Sequence, residues 1–288
     1  MSCSPLFRRA ARLKEEEDKA YKAEPLAGAV LSRLLDVCGE VSEDADWRGA
    51  AVLHLECGTG ETTGQISARW PALRMVLGLD KDPAAADLAW RLQADETLDF
   101  CHVDPEDGST FDRAWAGRFQ WALGPGPVTP AALRNLLWCL KPATGRCALA
   151  VLASKPPDVH AAALKLSSWK KFLKEVPRSV SELQDPNCGR LWCNHAKADR
   201  VYAAMLEQVG LEVLMTRVVE LQYNFVSLGH YRDVLAQVFR TVIDAVPEDR
   251  RAKLLESLVR AGLRKSGAKR LPSWNLQYAF VIARRSTL

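Results

Sequence analysis

Between residues 50 and 153, short apolar runs alternate with stretches whose apolar residues recur at helical spacing, and this alternation constrains the chain more than any other feature. Ala50-Ala51-Val52-Leu53-His54-Leu55 reads as a buried strand closed by Gly58 and Gly60. Glu61 then opens a helix, its carboxylate well placed at the positive end of the helix dipole. Met75 to Leu79 gives a second strand, and Pro83 sets the first turn of a helix reaching about Leu92. Leu98 to Val103 and Phe119 to Leu123 give a third and a fourth. After a stiff Gly-Pro turn, Thr129-Pro130 starts a helix carrying Leu133, Leu136, Leu137 and Leu140. Arg146 to Ala153 is the strongest strand signal. Strands joined through single helices pair in parallel with right-handed crossovers, so the expected fold class is α/β: a Rossmann-like, doubly wound, mostly parallel sheet.

The flanking segments extend this frame. Ala27, Val30, Leu31, Leu34 and Leu35 repeat at helical spacing from Pro25 to Cys38. Later residues predict helices near Val159 to Val176, Ala196 to Gln208 and Tyr231 to Ala245, and one from Pro247, with strands at Leu211 to Gln222 and Trp274 to Ala283. The expectation is one domain over 1–288, with an N-terminal helical segment (1–48), a ligand-binding half (49–153), and a second half (154–288) that adds a helical cap and the final strands. Open sheets of this kind bind ligands at the carboxyl ends of their strands, where the strand order reverses.

Composition narrows the partners. Hydrophobic residues make up 48% and charged residues 26%, ordinary for a globular chain with a sizeable core. The longest apolar run, Cys147 to Ala153, is far too short to span a membrane. Glu15, Glu16, Glu17 and Asp18 near the start speak against a presequence, so a cytoplasmic protein is expected. A net charge of +4 gives no reason to expect a nucleic-acid partner, and Arg260, Arg264, Lys265, Lys269 and Arg270 read as a solvated loop. The eight cysteines fall mostly in apolar segments, as buried thiols do. Cys188, Cys193 and His195 lack a fourth ligand, so no metal is expected.

The informative stretch is VLHLECGTGETT, residues 52–63, a glycine-rich turn from strand to helix that lets backbone amides approach a polar ligand closely. Asp80 ends the second strand 20 residues beyond Gly60, a spacing that suits a carboxylate accepting both hydroxyls of a ribose. Asp104 ends the third, placed to accept from an adenine amino group. A dinucleotide site needs a third glycine, and Gly58 begins G-T-G-E-T-T instead.

That stretch, with its two downstream acids, resembles the first motif of class I S-adenosylmethionine-dependent methyltransferases. The segments LLWCLKPATGRCALAVLASKP, KFLKEV and MLEQVGLEVLMTRVVELQYNFVSLGHYRDVLAQVF, with the start SPLFRRAARLKEEEDKA, are similar to the arthropod juvenile hormone acid methyltransferases over nearly the whole chain. The resemblance implies a methyltransferase-type sheet, S-adenosylmethionine as cofactor, and methylation of the carboxylate of a farnesoic-like or fatty acid. It implies a cofactor site at His54, Glu56, Cys57, Gly58, Thr59, Gly60, Asp80, Lys81, Asp104 and Pro105. Candidates for the apolar substrate side are Lys14, Trp169, Phe172, Tyr223 and Phe225, in a monomer or weak dimer. Against the family's D-x-G-x-G-x-G, His54 replaces the acid and Glu56 the first glycine; Gln120 stands where strand four is expected to end in a carboxylate, and Gly124-Pro125 where a His-Trp pair is expected. A carboxylic acid is already ionised at neutral pH, so the chemistry needs no general base and no catalytic residue is assigned. Two alternatives stay open: a degenerate methyltransferase fold kept as a binding or scaffold protein, and a methyltransferase acting on RNA or protein through the basic segment.

Overall fold

The structure, a computed structural model, describes residues 25–125, 129–153, 169, 198–265 and 271–286. Seven strands form one sheet of order β3-β2-β1-β4-β5-β7-β6: β1 is Ala51–Leu55, β2 Met75–Asp80, β3 Leu98–His102, β4 Trp121–Pro125, β5 Arg146–Leu152, β6 Leu211–Asn224 and β7 Ser273–Arg285. The pairs β1–β2, β1–β4 and β2–β3 are parallel, and β6–β7 is antiparallel. The order reverses at β1, the switch point where such sheets bind ligands. The expected Rossmann-like, doubly wound sheet of the class I methyltransferase type is therefore present.

Chain contacts divide the protein into two compact units. The first extends to Gly124 and includes Ala131–Arg146. It contains helices α1 (Pro25–Glu40), α2 (Asp44–Trp47), α3 (Glu61–Arg69) and α4 (Pro83–Gln93), and most of α5 (Pro130–Cys139). Every residue of β1 is buried, because parallel neighbours flank it on both sides. Its ladder runs from Ala51 opposite Met75 to Leu55 opposite Leu79, and β2 continues with Asp80 opposite His102. Parallel register thus aligns the carboxyl ends of β1, β2 and β3 along one edge. Pro83 occupies the first turn of α4 as expected, and Asp82 caps it by accepting from the Ala84 amide at 2.9 Å. Behind the opposite edge, Trp47 stacks on Trp70 at 3.5 Å and on Trp121 at 4.4 Å. The Arg146 guanidinium lies 5.2 Å over the Trp121 ring and pairs with Asp46 at 2.8 Å.

The second unit takes in Pro125–Pro130 and Cys147–Ser286. It holds β5, β6, β7 and helices α6 (Ala198–Gln208), α7 (Leu228–Val238), α8 (Arg240–Asp244) and α9 (Glu248–Lys265). Where periodicity predicts one helix from Tyr231 to Ala245, the chain makes two, α7 and α8, about Phe239. Strand β6 alternates buried or partly buried with exposed positions, as an edge strand does, whereas β7 is buried from Tyr278 to Ala283. No described helix is long and apolar enough to cross a membrane. Apart from Trp169, the helix expected near Val159 to Val176 lies outside the described residues, as do Cys188, Cys193 and His195; among those described, no cluster of histidine, cysteine or acidic side chains could hold a metal.

Candidate functional site

The loop after β1 is built from alternating left-handed residues. Glu56 has φ +55°, Gly58 +54° and Gly60 +84°, with Cys57 and Thr59 between them. Left-handed backbone costs an ordinary residue about 1–2 kcal/mol; glycine escapes that penalty, and Glu56 does not. The glycines then separate by what surrounds them. A Cβ on Gly60 would lie 2.8 Å from Phe100 Cζ and 3.0 Å from Gln93 Cγ. One on Gly78, in β2, would lie 2.6 Å from Phe100 Cδ1 and 2.9 Å from the Cβ of Cys57. Phe100 in β3, 5% exposed, thus fills the space that glycine leaves at both positions. At Gly58 an added Cβ meets nothing within 4 Å. The loop therefore borders open space at Gly58 while being packed from behind at Gly60.

Asp80 secures this loop. One carboxylate oxygen accepts from the Gly58 amide at 2.8 Å and the other from the Asp82 amide at 2.9 Å. Although Asp80 is only 8% exposed, these two bonds use about half of a carboxylate's acceptor positions, and each oxygen can accept a second donor. Its backbone carbonyl accepts from the Val103 amide at 2.9 Å, tying the ends of β2 and β3 together. Beyond that tie Asp104 is exposed; its side chain accepts from the Glu106 amide at 2.9 Å, forming a turn. The Pro105 carbonyl accepts from Asn135 Nδ2 at 2.9 Å. The Lys81 carbonyl lies 3.1 Å from His102 Nε2. Gly58, Asp80, Lys81, Asp104 and Pro105 thus lie along one sheet edge.

His54 and Cys57 are held differently. The His54 ring is 1% exposed, and its Nδ1 lies 2.8 Å from the Thr63 hydroxyl of α3. Burial pushes its pKa down to about 4, so the imidazole is neutral at neutral pH. It ties strand to helix beneath the loop. The Cys57 thiol is pushed well above its usual range by burial and, next, by the Asp80 charge, so it stays protonated and is no nucleophile. Thr59, 5% exposed, has a hydroxyl that is fully buried without a hydrogen-bond partner.

One expectation is overturned. Gln120 does not end strand four; β4 begins one residue later, and Gln120 sits at its amino end, away from the loop. There the Ala51 amide donates to its side-chain oxygen at 2.8 Å, and its own amide donates to the Ala51 carbonyl at 2.9 Å. The strand instead ends in Gly124-Pro125, where a Cβ on Gly124 would lie 2.9 Å from Leu55 Cβ.

Of the substrate-side candidates, Trp169 is 4%, Tyr223 7% and Phe225 5% exposed. Phe225 packs edge-on against Tyr223 at 5.1 Å, Tyr231 at 4.7 Å and Trp274 at 5.0 Å. The Val226 amide donates to His230 Nδ1 at 3.2 Å, and His230 Nε2 lies 2.7 Å from the Tyr223 hydroxyl. Lys14 and Phe172 lie outside the described residues. Sequence reasoning passed over Phe100 and Thr63, which shape the loop from neighbouring elements; the proximity of Phe100 to Gly60 and Gly78 depends on strand pairing and leaves no local signal.

No protein-family model matches the chain, and no curated protein matches it. Solved structures do. The chain is similar to the [4+2]-cyclase SpnF, with 16% identity over 89% of this chain and 81% of that one and a TM-score of 0.52. It is similar to a candidate methyltransferase of Bacillus halodurans, with 15% identity over 89% and 99% of the two chains and a TM-score of 0.50. The YcgJ protein of Bacillus subtilis gives 16% identity, coverage of 88% and 99%, and a TM-score of 0.50. At such identities the likeness establishes the fold: a Rossmann-like sheet of the methyltransferase type.

Proposed function

We propose that this chain is an S-adenosylmethionine-dependent O-methyltransferase that acts on the carboxylate of a small apolar acid, farnesoic-like or fatty. The observation that carries this reading is Asp80, nearly buried at the end of β2, bonded at 2.8 Å to the amide of the one loop glycine that borders open space, and still able to accept hydroxyl donors. In this reading Glu56, Cys57, Gly58, Thr59 and Gly60 wall the amino-acid end of the cofactor. Asp80 and Lys81 take its ribose, Asp104 and Pro105 border its adenine, and His54 braces the loop from beneath. The fit is supported by the space at Gly58 and by the unpartnered Thr59 hydroxyl.

When bound, the cofactor supplies a methyl group on a sulfonium, whose S–C electron pair stays on sulfur as an acid oxygen takes the methyl. The substrate arrives as an anion, so no residue has to remove a proton. What the protein contributes is orientation and the exclusion of water, as opposite charges cancel between donor and acceptor. For the apolar acid the assigned residues are Lys14, Trp169, Phe172, Tyr223 and Phe225. The protein works in the cytoplasm, as a monomer or weak dimer, without nucleic acid.

Incubation with methyl-labelled S-adenosylmethionine and a panel of long-chain acids tests this; a labelled methyl ester is expected. A protein that binds the cofactor yet esterifies no acid in the panel contradicts the assignment. That outcome favours a second reading, a fold of this type kept for binding, which Glu56 in a left-handed conformation suited to glycine supports.

A further inference from the structure

The last rung of the β6–β7 ladder pairs Asn224 with Ser273, so the residues just beyond it, 225–228 on one side and 271–272 on the other, emerge together at one end of the second unit. Apolar side chains stay uncovered there: Val226 is 82%, Leu228 50% and Leu271 38% exposed. Phe225, Tyr231 and Trp274 are buried and packed edge-on next to them in the chain. Val226 is held in place, since its amide donates to His230 Nδ1 at 3.2 Å and the His230 amide donates to Ser227 Oγ at 3.0 Å. Cations lie close by. A Cβ on Gly262 in α9 would collide with the Tyr231 hydroxyl, which sets the last turns of α9 against the first turn of α7, where Leu228 lies. Residues 248–256 of α9 balance three acids against three bases, whereas 257–265 carry Arg260, Arg264 and Lys265 and no acid. These three are helical, not part of the loop expected from the sequence, and Arg260 is exposed. Neither 224–229 nor 271–273 contains an acid, and α7 sets Arg232 against Asp233. An apolar patch beside unbalanced cations suits an anionic bilayer, whose acyl chains cover the patch while its phosphates meet the cations. A stable protein interface takes about 800 Å² from each partner, more than three side chains offer.

We propose that this end of the second unit docks on anionic lipid bilayers, with Val226, Leu228 and Leu271 entering the acyl boundary and the last turns of α9 facing the headgroups. The docking is independent of the cofactor reading above. Co-sedimentation of the full-length protein with phosphatidylcholine vesicles, with and without about a third phosphatidylserine, tests it at about 0.1 M salt. Wild type should bind the phosphatidylserine vesicles, and omitting the anionic lipid should weaken binding by at least about tenfold. Val226→Asp and Leu228→Asp should each weaken it by about tenfold or more, because an apolar side chain no longer leaves water. Arg260→Gln should weaken it about fivefold, the share of one cation at a charged surface. Val218→Asp changes a position 49% exposed but six residues before Asn224 on β6, and should bind as wild type does. Thermal midpoints near that of wild type are expected for all four variants, since each replaces an exposed side chain. Wild type that ignores both kinds of vesicle overturns the proposal, and so does binding that neither Val226→Asp nor Leu228→Asp weakens. Self-association that Val226→Asp abolishes, without vesicle binding, assigns the patch to a second copy of the chain and overturns it too.

Discussion

Lowering the pH should destabilise this protein through His54, by an amount that follows from its burial. The ring is 1% exposed, bonded to Thr63, and has its pKa pushed down from 6.5 to about 4 by the loss of water around it. Above pH 6.5 it is neutral in both the native and unfolded chain and contributes no pH dependence. As pH falls from 6.5 toward 4, the unfolded chain takes up a proton that the native protein refuses, so stability falls with falling pH across that window and levels off below it. At 1.36 kcal/mol per pKa unit the full effect approaches about 3 kcal/mol, of which about 2 kcal/mol is spent between pH 7 and pH 4.5. Urea denaturation of wild type and His54→Asn across this range isolates the contribution. The variant should be less stable at pH 7, because a packed strand-to-helix bond is lost, and its deficit should shrink by about 2 kcal/mol at pH 4.5. A deficit that is constant with pH would refute the reasoning, as would a His54 imidazole titrating near 6.5 by NMR.

Three further outcomes follow from the loop. Gly60→Ala forces a Cβ to within 2.8 Å of Phe100 in left-handed backbone, and should cost about 2 kcal/mol or more in chemical denaturation. Gly58→Ala has the same backbone strain and no contact within 4 Å, so it should cost about 1 kcal/mol of stability but impair adenosyl-ligand binding more than that loss explains. Glu56→Gly relieves left-handed strain of about 1–2 kcal/mol, offset in part by the larger entropy of an unfolded glycine, and should leave stability equal or up to about 1 kcal/mol higher while raising affinity for S-adenosylhomocysteine; weaker binding by calorimetry counts against this view of the loop.

Much of this architecture could be read from the chain because parallel strands buried on both faces must be apolar throughout, as β1 is from Ala51 to Leu55. Asp80 was equally legible, since an acid ending an apolar run marks a strand's carboxyl end; Asp104, read the same way, falls two residues beyond β3, which ends at His102. Strand four shows where such reading fails. Phe119 is apolar and buried, yet it makes only an isolated bridge to Leu140, while Gln120 binds Ala51 with both backbone and side chain. The regular strand starts at Trp121 and runs into Gly124-Pro125, residues that usually signal a turn. The roles of Gly60 and Gly78 were hidden for another reason: both are set by Phe100, which reaches them only once β3 has paired with β2. The unsatisfied Thr59 hydroxyl is likewise a property of packing, not of local sequence.

Titration of S-adenosylhomocysteine into the wild-type protein, set beside Asp80→Ala, tests the central claim most directly. The account predicts a dissociation constant in the micromolar range, about −8 kcal/mol, for wild type and a loss of at least about tenfold when the carboxylate that holds the Gly58 amide is removed. Wild type giving no binding heat at millimolar ligand, or Asp80→Ala binding as tightly as wild type, would contradict it.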